Sequence, residues 1–195
     1  MLLRSSIYLY TVDNLRDGAN LDDFILEHSN KYKIALKRKI SISNYANLAL
    51  KLNKEGYDIS KLKFTSRGKP YLDDVFISLA HTDSLYGFML SDSECGLDIE
   101  GLILEKRFSL ANRILNANEL IEFNNSSNKA LYLTKSWTAK EAYSKMTGEG
   151  LNEKIYKLAL NKNSFTVNNM VISYFTKDLD IDVYLNDEMI LVDKI

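Results

Sequence analysis

Residues 126–150, SSNKALYLTKSWTAKEAYSKMTGEG, constrain the fold more than any other stretch. The run has no Pro, has no Gly before Gly148, and is rich in Ala, Leu, Lys and Glu, so it reads as a helix. Ser126 or Ser127 is placed to cap its start, and Gly148 to end it in the left-handed conformation. Leu133, Trp137, Glu141 and Lys145 recur every four residues and share one stripe. A solvated face would not begin with Trp, and a plain core face would not end with Glu and Lys. The simplest account is an amphipathic helix with an i,i+4 ion pair at its rim, a contribution of about a few tenths of a kcal/mol.

A second stretch changes that balance. Cys95–Glu100 reads CGLDIE. As a strand it puts Asp98 and Glu100 on one side, with Leu97 and Ile99 on the other. Two carboxylates on one strand face repel unless a positive charge lies between them, and a divalent cation is the economical answer. The alternative is an edge strand with a wet face. With Glu141 contributed by the helix, three carboxylates, waters and a substrate phosphate suit octahedral Mg²⁺. One cysteine and two histidines make a zinc site of nitrogen and sulfur ligands improbable. The single Cys95 also excludes an internal disulfide and fits a reducing, cytoplasmic setting.

Charge is unevenly distributed. The chain carries a net −1, but residues 28–70 hold eleven Lys and Arg against Glu55 and Asp58, a balance of +9. A basic segment in an otherwise acidic protein implies an anionic partner: nucleic acid, a phosphate-bearing small molecule or an acidic protein. A solvated helix face is the plain alternative. No apolar run approaches a membrane span, and the alternating MLLRSSIYLYTV reads as a strand rather than a signal peptide.

The remaining pattern alternates between periods. Ser5–Val12 is a strand, Asp13–Asn20 a turn, and Leu21–His28 a short helix that Asn20 can cap. A longer helical stretch starts within Ser29–Lys33 and ends at Gly56, with Lys31, Lys33, Lys37, Arg38 and Lys39 crowding its first part. Ser66-Arg67-Gly68 turns, and Lys69-Pro70 leads into an extended segment. Val75–His81, Tyr86–Leu90 and Cys95–Glu100 form a strand meander, with His81 at a strand end. Leu104–Leu115 is helical, and Asn116 with Glu119 makes a capping-box-like pair. Ile155–Leu160, Ser164–Phe175, Ile181–Leu185 and Met189–Val192 read as antiparallel strands. The plan is α+β with two similar halves.

Gly96-Leu97-Asp98-Ile99-Glu100, followed about forty residues later by Trp137-Thr138-Ala139-Lys140-Glu141-Ala142-Tyr143-Ser144-Lys145, resembles the two-part signature of 4′-phosphopantetheinyl transferases. Arg67–Leu72 and Ile77–Thr82 are similar to two further segments of the larger, monomeric type that activates surfactin synthetase. The resemblance covers about residues 64–151. It implies two halves related by a pseudo-twofold, each a small antiparallel sheet with packed helices, divided as 1–96 and 97–195, with the active site in the cleft between them. It implies transfer of 4′-phosphopantetheine from coenzyme A to a serine of an acyl- or peptidyl-carrier protein, releasing 3′,5′-ADP, by a cytoplasmic monomer.

Carried over by residue, Asp98, Glu100 and Glu141 would hold Mg²⁺, or Mn²⁺ in its place. Asp98, Glu141 and Lys145 would be catalytic, Lys145 also meeting phosphate. His81, Lys69, Lys31, Lys39 and Lys140 would bind the coenzyme. The chain departs from the family in having Ala80 where a Ser is usual, and Asn47 about where an early arginine is expected. Two other readings compete: a non-catalytic domain that binds coenzyme A or a carrier protein, and a nucleic-acid module built on residues 31–69. The second lacks a glycine-aromatic RNA-binding signature or zinc spacing and leaves the three acids without a purpose.

Overall fold

Strand β5 (Leu85–Ser91) is buried along its whole length, because both faces of its sheet are covered. The computed structural model describes residues 4–19, 21–72, 74–178 and 180–195. Beside β5 lie β1 (Ser6–Thr11) and β4 (Val75–His81), both antiparallel to it. The sheet extends on one side through β3 (Pro70–Leu72) and β2 (Lys63–Phe64), and on the other through β9 (Asp182–Leu185) and β10 (Glu188–Ile190). A second sheet places β6 (Gly96–Gly101) beside β8 (Met170–Phe175), with β7 (Ser164–Val167) at its edge.

Each sheet carries one long helix. Helix α2 (Ala35–Lys54) packs on β4 and β5, following α1 (Asp23–Ser29). Helix α5 (Lys129–Thr147) packs on β6 and β8. Between the two sheets, Ile7, Leu9 and Met89 meet Leu97, Ile99 and Ile172 in one apolar core. The backbone N–H of Leu97 donates to Ser78 Oγ across this junction at 2.9 Å. A third apolar cluster joins α5 to α3 (Leu110–Ile114), α4 (Ala117–Asn125) and α6 (Glu153–Tyr156).

The fold class is α+β as expected, and several elements differ in detail. Helix α5 is capped by Asn128, whose side chain accepts from Leu131 N–H at 3.1 Å. Ser126, an expected cap, instead ends α4, and its Oγ accepts from Asn128 N–H. Helix α2 begins at Ala35 rather than within Ser29–Lys33, where Lys31 and Lys33 would oppose the positive end of the helix dipole. Asp22, not Asn20, precedes α1, and Asn20 lies outside the described residues, as do Met1–Leu3 of the first expected strand. Leu104–Leu115 is helical only in a turn at Glu105–Arg107 and in α3.

Ile155–Leu160 is not a strand. Asn152 accepts from Ile155 N–H at 3.0 Å and starts α6 there. Ser164–Phe175 is a hairpin rather than one strand. Its turn residues Asn168 and Asn169 have φ of 49° and 61°, the left-handed pair that a tight two-residue hairpin requires. Asn186 and Asp187 make the same turn between β9 and β10. Strand β9 joins the first sheet parallel to β1, not antiparallel, because the chain reaches it by a crossover from the second sheet. The capping box of Asn116 and Glu119 is present in full.

Candidate active site

The alternation in β6 has the effect read from its sequence. Leu97 and Ile99 point into the inter-sheet core, which leaves Asp98 and Glu100 on the face that α5 covers. Helix α5 lies close on β6 because Gly96 has no side chain: a Cβ there would lie 1.9 Å from the Ala142 carbonyl oxygen. That approach brings the Trp137–Glu141–Lys145 stripe onto the acids. The Trp137 indole N–H donates to Glu100 Oε1 at 3.1 Å. Lys145 Nζ donates to Asp98 Oδ1 at 2.7 Å and to the Leu79 carbonyl of β4 at 3.2 Å. Leu133, at the head of the stripe, is fully buried, whereas Trp137 is only partly so.

The three carboxylates feel one another. Burial raises the Asp98 carboxyl above its usual range, against the pull of Lys145. Burial raises Glu100, and the charge of Asp98 adds to it. Glu141 is pushed up to about 7 by burial first and then by Asp98, with Glu100 adding to the effect and Lys145 opposing it.

Asp98 Oδ2 is buried with no hydrogen-bond partner. A buried, unpaired carboxylate oxygen is costly unless a cation meets it. No three His, Cys, Asp or Glu among the described residues stand in the arrangement of a metal cage, and the cation touching the acids here is the Lys145 ammonium. The donor chemistry nonetheless fits a hard divalent ion: oxygen donors only, one of them orphaned, in a group whose mutual repulsion a cation would relieve.

A cavity of about 320 Å³ lies between the two sheet-and-helix units; none of the three acids lines it, and Lys145, which does, reaches Asp98. Lys31, Lys69, His81 and Lys145 line it, so the fold brings four expected coenzyme-binding residues together. Burial lowers the His81 imidazole, and the charges of Lys145, Lys37 and Lys31 lower it further. Burial also lowers the ammonium groups of Lys31 and Lys69. Depressed cations crowded around a cavity mark a place where a polyanion would be stabilised.

Two expected contacts lie elsewhere. Lys39 is exposed on α2 and does not line the cavity. Lys140 is fully buried among α3, α4 and α6, on carbonyl and carboxylate partners, and cannot reach a ligand in the cavity. Asn47 belongs to a different polar pocket, where Arg16 Nε donates to its Oδ1 at 2.8 Å. Ala80 faces the inter-sheet core, so a hydroxyl at its Cβ would not point into the cavity.

Sequence reasoning gave no role to Tyr32, whose ring meets His81 edge-on at 5.3 Å, or to Lys37. Arg67, part of the Arg67–Leu72 segment, also lines the cavity and donates to the Gly148 and Glu149 carbonyls. Lys69 Nζ donates to the Met146 carbonyl. Together these two cations close the C-terminal end of α5, where the helix leaves its carbonyls unpaired. The basic balance of residues 28–70 contained the signal for Lys37 and Arg67, but not which of its cations turn inward.

Residues 94–186 match the 4′-phosphopantetheinyl transferase superfamily. The match runs from the start of β6 through α5 to the turn after β9, so it contains all three acids, Trp137 and Lys145. It bears out the resemblance at the level of the superfamily. The cavity wall formed by Lys31, Lys69 and His81 lies outside the matched stretch. No curated protein matches the chain. Among the described residues, no helix is long and apolar enough to cross a membrane.

Proposed function

We propose that this protein is a transferase of the larger, monomeric type, which moves 4′-phosphopantetheine from coenzyme A to a serine of an acyl- or peptidyl-carrier protein and releases 3′,5′-ADP. The observation that carries the reading is the adjacency of two opposite environments. A cavity walled by Lys31, Lys69, His81 and Lys145 is joined to the acids through Lys145, which lines it and bonds Asp98. A pyrophosphate needs cations around its oxygens, and in-line displacement needs the nucleophile held beside it.

In this reading the lysines and His81 bind the coenzyme's phosphates and hold its pyrophosphate against β6. Asp98, Glu100 and Glu141 would hold Mg²⁺, or Mn²⁺, which supplies charge neutralisation at the pyrophosphate when bound. The carrier serine oxygen forms a bond to the phosphorus bearing the pantetheine arm, and the bond from that phosphorus to the 3′,5′-ADP oxygen breaks. Glu141, a carboxylate beside the reacting groups, accepts the serine proton directly or through water. Lys145 neutralises the departing phosphate. Trp137 holds Glu100 in place through its indole N–H.

The test is incubation with coenzyme A, Mg²⁺ and apo carrier proteins, followed by intact mass. A gain of one phosphopantetheine on the carrier is the expected result. Coenzyme binding without any gain across several carriers would instead make the chain a non-catalytic binding domain. Retention on nucleic acid at physiological salt, without coenzyme binding, would assign the basic segment to a different partner.

A further inference from the structure

Lys140 stands one position before Glu141, and its side chain has no exposed surface. Its Nζ lies 2.7 Å from the Ile114 carbonyl, 2.5 Å from Glu119 Oε2 and 2.6 Å from the Tyr156 carbonyl. An ammonium has three N–H bonds, and these three acceptors use all of them. They come from the end of α3, the first turn of α4 and the end of α6. Glu119 is itself fixed, since the same carboxylate accepts from Asn116 N–H at 3.1 Å and pairs with Lys162 at 3.3 Å. One nitrogen therefore ties three elements to the middle of α5.

The neighbouring position is pinned to something else. At Ala142 the backbone of α5 presses on Gly96, where not even a methyl group would fit. Residues 140–142 are thus fastened to the helical layer by a side chain and to β6 by the main chain. Glu141 lies between the two fastenings. A helix held at one turn from two directions can neither roll nor slide. Successive side chains differ by about 100° around the axis, so a modest roll would aim Glu141 away from β6. Burying an ammonium and a carboxylate is a poor way to gain stability, since apolar replacements often serve as well or better. What such a pair supplies is one arrangement instead of several.

We propose that Lys140 is a positioning residue: its buried ammonium fixes the roll of α5 so that the Glu141 carboxylate faces Asp98 and Glu100, and it does not touch the coenzyme. The proposal rests on the reading of Glu141 as a cation-holding group.

Trp137 is the one tryptophan of the chain and bonds Glu100, so its fluorescence reports Mn²⁺ at the acids. Mn²⁺ is titrated into the wild type, Lys140→Met, Glu119→Gln and Glu141→Gln, and coenzyme A is titrated separately by calorimetry with chelator present. Lys140→Met should weaken Mn²⁺ binding about tenfold or more while metal-free coenzyme affinity stays within about twofold, the scale of loss seen when outer supports of metal ligands are removed. Glu119→Gln, which keeps the side chain's shape but not its charge, should move Mn²⁺ binding the same way by a smaller factor. It decides the matter if Lys140→Met does not fold. Weakened coenzyme binding with Mn²⁺ affinity intact would make Lys140 a phosphate contact and overturn the proposal, as would wild-type affinity for both ligands. If Glu141→Gln binds Mn²⁺ like the wild type, the reading of Glu141 fails first, and the role given to Lys140 goes with it.

Discussion

The Lys145 ammonium lies 2.7 Å from Asp98 Oδ1 and makes the direct ion pair at the three acids. Because it also donates to the Leu79 carbonyl, one side chain of α5 bridges β6 and β4, which belong to different sheets. Lys145 is thus the local counter-charge of the metal-free site and, in the proposed reaction, a partner of the phosphates. These two tasks separate under mutation.

Lys145→Met removes that counter-charge and leaves Asp98 buried without a partner on either oxygen. Metal-free stability should fall by about 1–3 kcal/mol, the cost of stranding a buried hydrogen-bonding group. Mg²⁺ should recover most of the lost stability, because a divalent ion can replace the ammonium beside Asp98. Transfer should stay about a hundredfold or more below wild type, since the charge at the departing phosphate is still missing. Urea unfolding with and without Mg²⁺, beside the mass assay, checks both parts. Recovery of activity along with stability would confine Lys145 to a structural role.

Glu141 contributes a definite sign to the pH dependence of the metal-free protein. Its folded value of about 7 lies above the ordinary carboxylate value, so folding favours the protonated form. The associated stability is fully present below the ordinary carboxylate range and is lost as pH rises through about 7. Asp98 and Glu100 shift in the same direction and add to the slope. Glu141→Gln removes its share, so with chelator present the variant should be more stable than the wild type at about pH 8 by about 1–2 kcal/mol, a figure reduced for the group's contact with water, and little different at about pH 5. The same variant should lose transfer activity at every pH. Denaturant midpoints at the two pH values measure the first effect, and equal midpoint shifts at both would contradict it.

The sequence carried the chemistry of this site more fully than its walls. The four-residue spacing of Trp137, Glu141 and Lys145 and the two-residue spacing of Asp98 and Glu100 are local periodicities, and the structure keeps both. The cavity wall depends on long-range packing. Lys31 and Lys39 look alike in the basic run, yet only Lys31 reaches the cavity, because the turn before α2 carries it there and the helix carries Lys39 outward. Lys140 departs from its expected role for a related reason. A lysine next to Glu141 in the helix looks solvent-facing until α3, α4 and α6 are seen to close over it. The parallel pairing of β9 was likewise hidden, since period-two alternation is the same in parallel and antiparallel strands.

Trp137→Phe tests how the acids are held. The substitution keeps an aromatic ring against Tyr156, whose ring centre lies 6.3 Å away, and deletes the indole N–H that binds Glu100. Trp137 is only partly buried, so the stability loss should be about 1–2 kcal/mol, smaller than that of a fully buried tryptophan cut to Ala. Losing a donor that favours the charged form should raise the Glu100 carboxyl further. Transfer should drop about tenfold, with most of the loss recovered at higher Mg²⁺. A loss that Mg²⁺ does not relieve would place Trp137 outside the support of the acids.

Gly96→Ala probes the close approach of α5 to β6. The new methyl carbon would sit 1.9 Å from the Ala142 carbonyl oxygen and 2.8 Å from the Met146 amide nitrogen, both main-chain atoms that cannot swing aside. Helix and strand must separate, and the cost should reach about 3 kcal/mol, the upper end for overpacking. Gly101, at the other end of the same strand, is the control. A Cβ there meets nothing nearer than the Met170 sulfur at 3.7 Å, so Gly101→Ala should change stability by less than about 0.5 kcal/mol. Separation at Gly96 also draws Glu141 and Lys145 away from Asp98. Gly96→Ala protein that remains folded at low temperature should therefore lose transfer activity, whereas Gly101→Ala should keep it. Thermal melts and the mass assay on the two variants give the comparison, and a Gly96→Ala protein as stable and active as Gly101→Ala would mean that the helix does not lie on the strand as described.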